Sequence, residues 1–467
     1  MEKKELIVDL YELTMADVYI KNNIHNKIAV FDCFFRKVPD NGSYAVFAGL
    51  ERVVEFLTNL KFDNETINYL KGLNIFSSEL INYLENFKFT CDVYSFKEGS
   101  LIFPYEPYFV VKGPLIQCQL IETFLLQTLN FECLIATKAR RIVYAANNTK
   151  IVEFGARRAH SSSASILGSR ACYLSGCEGT SNIHGNYSYN IPLSGTMSHS
   201  FIQSYSSEYE AFKAYALNFP DSATLLVDTY SVSKGVKNAI LIDKEVLSPL
   251  GKRLKGIRID SGDLLRLSHM ARKLLDEEGL KYTQICVSNS LDEYNISDLV
   301  ENHAPIDVFG IGERMITSKS DPIFNGVYKM SGLYDDDLNL IPKLKISESF
   351  SKSTLPSLKQ VYRYVNEYNE FQFDCIGLYD RVAPSSFNRL DLKYQKERPL
   401  LELIIKEGVL LQPLTPLEEV RVFAKKEFDL LPEKYKNLTK AAKYEVLISI
   451  ELEKLRDDLL KELKKNI

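Results

Sequence analysis

"LKGIRIDSGDLLRLSHMARKLLDEEGLKYTQICVSNS", residues 254–290, is the stretch on which the fold turns. "LKGIRID" is a short apolar run with β-branched residues. "DLLRLSHMARKLLDEEGL" places apolar residues at three- and four-residue spacing, and "TQICVSNS" returns to a strand pattern. Strand, helix and strand in succession predict parallel strands joined by a crossover helix. The alternation continues in both directions. Upstream, "IVEFG" (151–155) and "ATLLVDTYS" (223–231) read as strands and "SVSKGVKNAILI" (231–242) as a helix. Downstream, "LDEYNISDLVENH" (291–303) reads as a helix and "IDVFGIG" (306–312) as a strand. Each strand runs out into small, charged or hydroxyl residues: "EFGARRAH", "VDTYS", "RIDSGD", "VSNS" and "GIGERMITS". Loops are polar anyway. The recurrence at one end of successive strands nevertheless favours an α/β barrel over an open sheet, because that end of a barrel builds the active site.

The flanks read differently. "AVFDCFFRKVP" (29–39), "FTCDVYSF" (89–96) and "YFVVKG" (108–113) carry strand signals, and residues 114–148 carry a helical pattern. Beyond residue 345, "PKLKISESFSKSTLPSLKQVYRYV" (342–365) and "RPLLELIIKEGVLL" (398–411) read as extended, and "YEVLISIELEKLRDDLLKELKKN" (444–466) as one amphipathic helix. The expected organisation is an N-terminal α+β domain over 1–130, a barrel over 131–345, and a segment over 346–467 that packs back on the N-terminal domain.

The chain's 467 residues are enough for a barrel plus one further unit. Apolar residues at 45% and charged residues at 25% are soluble-globular proportions, and no run is apolar for the length of a membrane span. The N-terminus lacks the apolar core of a secretory signal, so the expected location is cytoplasmic. Eight scattered cysteines without a C-x-x-C pair argue against a zinc knuckle or a disulfide framework. A net charge of -4 with interspersed signs gives no reason to expect nucleic acid, so any anion must be held by local groups.

The strand-end clusters carry candidate chemistry. Arg157 and Arg158 follow Phe154, pairing guanidinium forks suited to phosphate or carboxylate with a ring that can stack a planar ligand; in isolation they also read as a surface pair. Arg258, Asp260 and Asp263 surround a Ser-Gly turn, where a carboxylate can stabilise a cationic centre, hold Mg²⁺ or orient a sugar hydroxyl, while Asp263 also suits a helix N-cap. Gly310 and Gly312 allow close backbone approach to a phosphate. In "SGTMSHS" (194–200), His199 stands among Thr196, Ser198 and Ser200, which could satisfy it locally; a nucleophilic imidazole is the sharper alternative.

Taken in order, "DLYELTMADVY", "EFGARRAH", "GCEGTSNIHG", "SGTMSHS", "IRIDSGD", "VSNSLDE", "DVFGIGE", "NGVYKM" and "KSTLPSLKQVYR" resemble the nicotinate phosphoribosyltransferase family over nearly the whole chain. The resemblance implies a type II phosphoribosyltransferase fold: an irregular α/β barrel and a second α+β domain formed by the N- and C-terminal segments. It implies homodimers with shared sites, and transfer from phosphoribosyl pyrophosphate to nicotinate with Mg²⁺ and coupled ATP hydrolysis. His199 would be the phosphorylated histidine. Phe154 would stack on the pyridine, with the partner's Tyr11 on its other face. Arg158 would hold phosphate or carboxylate, Arg258 would face the pyridine region, and Asp260 would contact the ribose. Thr180 and Ser181 would line the substrate site, and Ser288, Asn289, Gly310 and Gly312 would cradle the 5'-phosphate. "ERMITS" after "GIG" departs from the Gly-Thr of many relatives, and with Cys375 the only cysteine past residue 300, no C-terminal zinc module is expected. Nicotinamide-using enzymes carry a carboxylate where Ser181 stands; serine does not repel nicotinate, and this favours the acid substrate. A barrel glycosidase and a non-catalytic metabolite-binding barrel are the rival classes.

Overall fold

The computed structural model describes residues 3–345, 354–379, 381, 383–384 and 393–465. The N-terminal part contains strands β1 (Ile28–Phe35), β2 (Ala45–Val46), β3 (Asp92–Ser95), β4 (Leu101–Ile102) and β5 (Phe109–Pro114). The middle supplies β6 (Lys150–Glu153), β7 (Gly179–Thr180), β8 (Thr224–Leu226), β9 (Gly256–Ile259), β10 (Gln284–Ser288) and β11 (Val308–Ile311). The remainder supplies β12 (Gly326–Tyr334), β13 (Leu340–Pro342), β14 (Lys359–Val365), β15 (Phe371–Leu378), β16 (Lys396–Pro399), β17 (Glu402–Lys406), β18 (Val409–Leu410) and β19 (Val446–Ile448).

The chain forms two compact units, one of residues 1–134 with 323–467 and the other of 135–322. In the second, six strands pair in the order β7-β6-β11-β10-β9-β8, every pair parallel. Helices such as Ser162–Leu174, Val232–Ile242, Leu264–Glu277 and Glu293–Glu301 make the crossovers. Their starts are fixed by caps that the sequence provides: Ser161 accepts from the Ala164 amide, Asp263 from Arg266 and Asp292 from Tyr294 and Asn295. Because the strands are parallel, all their C-terminal ends open on one face.

The first unit holds a sheet ordered β13-β12-β1-β5-β3-β17-β18 and a smaller one ordered β16-β14-β15-β19. Its core includes Val30, Phe35, Phe47, Phe96, Phe109 and Phe124, each at most 1% exposed. β12 pairs antiparallel with β1 along its length, so residues 323–345 belong here and not to the barrel, contrary to the expected boundary at 345. Part of the extended reading at 342–365 covers residues 346–353, which lie outside the described residues. The helix expected over 444–466 is shorter: β19 pairs with β15 first, and the helix runs Ile450–Lys465. Ser449 sits at the break, its hydroxyl accepting from the Leu452 amide at 3.2 Å.

Candidate active site

A cavity of about 700 Å³ runs along the parallel strands, from their first residues Thr224, Gly256, Gln284 and Val308 to the C-terminal ends, where its wall includes Phe154, Arg157, Ser181, Thr196, His199, Arg258 and Asp260. Arg258, inside β9, is fixed by three charge-assisted bonds: Nε donates to Ser288 Oγ at 2.8 Å, one terminal nitrogen to Thr196 Oγ1 at 3.0 Å, and the other to Asp260 Oδ1 at 2.7 Å. Its guanidinium carbon stands 5.6 Å from the Phe154 ring centroid, within cation–π reach. Ser288 also donates to Asp260 Oδ1, so the serine braces the arginine–aspartate pair. Burial alone would raise the Asp260 carboxyl, but hydrogen bonds from Ser288 and Arg258 and the charges of Arg258 and His199 outweigh it, and the net shift is downward.

His199 opens the short helix His199–Gln203. Its Nε2 lies 3.8 Å from Asp260 Oδ2, and its Nδ1 lies 3.1 Å from Thr229 Oγ1. Beyond β8, Asp228 Oδ2 accepts from the Asp260 amide at 2.9 Å and from Ser261 Oγ at 2.6 Å. Its Oδ1 is buried without a hydrogen-bond partner among the described residues. Two carboxylates thus stand at neighbouring strand ends, Asp260 facing the imidazole and Asp228 bonded to the Asp260 backbone amide. They suit Mg²⁺, which is characteristically held by one or two carboxylates, water and substrate phosphates. Among the described residues there is no cluster of three or more metal-ligating His, Cys, Asp or Glu side chains.

Several expected contacts are rearranged. Thr180, expected on the substrate wall, is fully buried, and its hydroxyl donates to Glu153 at 2.5 Å. Ser181 stays exposed on the wall, its amide donating to the Glu153 carbonyl at 2.9 Å. Of the arginine pair it is Arg157 that lines the cavity; Arg158 points to solvent with Glu313 at 4.0 Å. Ser288 is 5% exposed with its hydroxyl committed to the brace, so it is not part of an open phosphate cradle. Gly310 is buried on β11, and a Cβ there would lie 2.4 Å from the Phe154 ring; the glycine makes room for the ring. Gly312 caps the turn Glu313–Ile316. Asn289 lines a separate cavity with Asp263 and holds φ of 133°, and Ser290 follows with φ of 32°, a strained pair of the kind that clusters at functional loops. Tyr11 belongs to the other unit, on the helix Leu10–Lys21, 45% exposed; burial and the acidic groups Glu122, Glu12 and Asp9 raise its hydroxyl. Sequence reasoning missed Asp228, Thr229 and Glu153. The first two lie in "VDTYS", in the same strand-end position as "RIDSGD", so that signal was available.

A parallel α/β sheet with such a cavity reaching its strand ends, in a chain whose other unit is built from both chain ends, defines the type II phosphoribosyltransferase class. The fold matches a nicotinate-nucleotide pyrophosphorylase from Pyrococcus furiosus with a TM-score of 0.72 at 24% identity, covering 92% of this chain and 97% of that one. Family models for the nicotinate phosphoribosyltransferase N-terminal domain, the nicotinate phosphoribosyltransferase family and its C-terminal domain match residues 6–130, 149–339 and 358–456. The chain is 38% identical over 459 residues to the nicotinate phosphoribosyltransferase of Bacillus subtilis, covering 95% of this chain and 92% of that protein. It superposes on human nicotinic acid phosphoribosyltransferase with a TM-score of 0.86 at 28% identity, covering 97% and 100% of the two chains. This chain belongs to the nicotinate phosphoribosyltransferase family.

Proposed function

We propose that the protein joins nicotinate to phosphoribosyl pyrophosphate, forming nicotinate mononucleotide and pyrophosphate in NAD salvage, with ATP hydrolysis coupled through phosphorylation of His199. The observation that carries the reading is the Arg258–Ser288–Asp260 brace with the His199 imidazole 3.8 Å from the Asp260 carboxylate, in a cavity walled by Phe154.

Phe154 offers a π-face to the pyridine, and Arg258 stands over the same ring. Arg157 supplies positive charge on the wall for a carboxylate or phosphate, and neutral Ser181 places no negative charge against the acid. The pyridine nitrogen then forms a bond to C1 of the ribose as the C1–oxygen bond to pyrophosphate breaks. The developing positive charge on the sugar is stabilised by Asp260, which its partners keep ionised. Asp228 and Asp260 would hold Mg²⁺, which when bound neutralises phosphate charge. His199 has an open side in the cavity and a Thr229 hydroxyl to fix its ring, as a phosphoryl acceptor requires. A phosphoryl group there adds negative charge beside the substrate phosphates and shifts the relative affinities of substrate and product. In this reading the protein is a cytoplasmic homodimer, with the partner's Tyr11 covering the free face of the pyridine. No helix among the described residues is long and apolar enough to cross a membrane.

The test is pyrophosphate release from phosphoribosyl pyrophosphate with nicotinate and nicotinamide side by side. Release with nicotinate at least about a hundredfold above nicotinamide is expected, about 2.7 kcal/mol of discrimination. Equal release with both, or with neither, overturns the reading.

A further inference from the structure

Glu153, the last residue of β6, is wholly buried directly beneath the cavity wall, yet it is not itself part of that wall. No cation pairs with it among the described residues. Its carboxylate accepts instead from three neutral donors: the Gly155 amide, Ser169 Oγ at 3.0 Å and Thr180 Oγ1 at 2.5 Å. Each donor comes from a different piece of the site's framework. Gly155 follows Phe154 in the loop after β6, Thr180 precedes Ser181 at the end of β7, and Ser169 lies on the helix Ser162–Leu174. The ties continue outward: Thr180 Oγ1 accepts from the Asn182 amide at 2.9 Å, and Asn182 Nδ2 donates to Ser169 Oγ at 3.3 Å. The Glu153 carbonyl also accepts from the Ser181 amide at 2.9 Å. A buried carboxylate without a counter-ion is costly. Here burial pushes the carboxyl up against its three hydrogen bonds. An apolar residue would fill the space without that cost, so the chemistry points to a role in fixing geometry.

We propose that Glu153 is a positioning residue for the nicotinic ring: its carboxylate sets the separation between the Phe154 ring and Ser181, and so the width and the acid-over-amide selectivity of the slot that takes the pyridine. The inference rests on the functional reading above. It concerns only the pyridine side of the cavity, because the Arg258–Ser288–Asp260 brace and His199 make no contact with Glu153 in the interactions described. A loss at Glu153 therefore acts on nicotinate and spares phosphoribosyl pyrophosphate.

The experiment compares steady-state constants for both substrates, and the nicotinate-to-nicotinamide preference, in the wild type, Glu153→Gln and Glu153→Ala. Glutamine keeps one acceptor oxygen but turns an NH₂ toward a donor. It is expected to raise the nicotinate KM about tenfold and narrow the preference, with kcat and the phosphoribosyl pyrophosphate KM within about twofold; alanine should be worse in the same parameter. Parallel rises in both KM values, or an unchanged nicotinate KM, would overturn the proposal. Should the Glu153 variants not fold, Ser169→Ala removes one donor and leaves the carboxylate in place; a smaller rise confined to nicotinate is expected, and its absence counts against the role. A wild type that forms no product overturns the functional reading and this inference with it, whereas an active wild type with indifferent variants overturns this inference alone.

Discussion

His199 has two nitrogens in unlike surroundings, Nδ1 beside a hydroxyl and Nε2 toward a carboxylate, and labelling tests whether the proposed phosphoryl acceptor or a satisfied structural histidine stands there. With γ-labelled ATP the protein is expected to take up label that acid removes and base does not. His199→Asn should abolish both the label and the stimulation by ATP while leaving basal transfer, which relies on Asp260 and the arginines. A His199→Asn protein that still takes up label and couples hydrolysis would return His199 to a structural part. A different residue, Glu12, carries a pH dependence. Glu12 is pushed up to about 7, first by burial and then by the nearby charges of Glu122 and Asp9, against hydrogen bonds from Thr123. Its folded pKa is above the unfolded one. The folded state therefore holds the proton more tightly, and stability falls as pH rises from about 4.5 through about 7. Glu12→Gln, which cannot titrate, should reduce the loss of urea resistance between pH 5 and pH 8 by on the order of 1–2 kcal/mol after allowance for screening. An identical pH dependence in variant and wild type would dismiss the assignment.

Strand β11 and the loop after β6 meet where a glycine replaces a side chain with someone else's ring. Gly310→Ala would put a Cβ 2.4 Å from Phe154, so the ring or the strand must move. The expected cost is about 1–3 kcal/mol in stability, with nicotinate KM rising more than phosphoribosyl pyrophosphate KM. Unchanged kinetics would mean that Phe154 is free to shift without consequence. The same pair explains what was legible in the sequence. Periodicity and the polar residues after each strand located β6, β8, β9, β10 and β11, and with them Phe154, Arg258 and Asp260, whereas His199 stood out only through its hydroxyl-rich stretch and the family resemblance. β7 has only two residues, too few to show a period of two, so it was invisible. Ser288 and Gly310 were correctly placed at strand ends and Thr180 came only from the resemblance, yet all three positions serve the framework and not the cavity. That depends on which face each residue takes and on partners far away in sequence. Alternation along "EFG" does hint that Glu153 and Phe154 point opposite ways, the one signal that would have found the carboxylate. β19 was lost inside a helical pattern because its pairing with β15 is non-local.

The two ends of the chain are sewn into one unit by pairings that no local pattern announces: β12 beside β1, and β17 beside β3. A buried ion pair adds to that assembly. Lys359 Nζ on β14 lies 2.7 Å from Asp32 Oδ2 on β1, with side chains 1% and 5% exposed, and it also donates to the Leu355 carbonyl at 3.0 Å and the Ser357 carbonyl at 2.5 Å. Burial dominates both partners, raising the Asp32 carboxyl and lowering the Lys359 ammonium, each against the pull of the other. Such a pair contributes little compared with an apolar replacement, yet breaking one side strands the other, at about 3–5 kcal/mol. Lys359→Met should therefore be strongly destabilising, and adding Asp32→Asn, which removes the orphaned charge, should recover part of the loss. Because two units need not unfold together, amide hydrogen exchange is the suitable measure. Peptides from β1 and β12 should exchange faster in Lys359→Met and partly regain protection in the double variant, while peptides from β9 and β10 report on the other unit as an internal control. Equal exchange in the single and double variants would show that the charge pair is not what Lys359 contributes, leaving its hydrogen bonds to the Leu355 and Ser357 carbonyls as the reason a lysine is buried there.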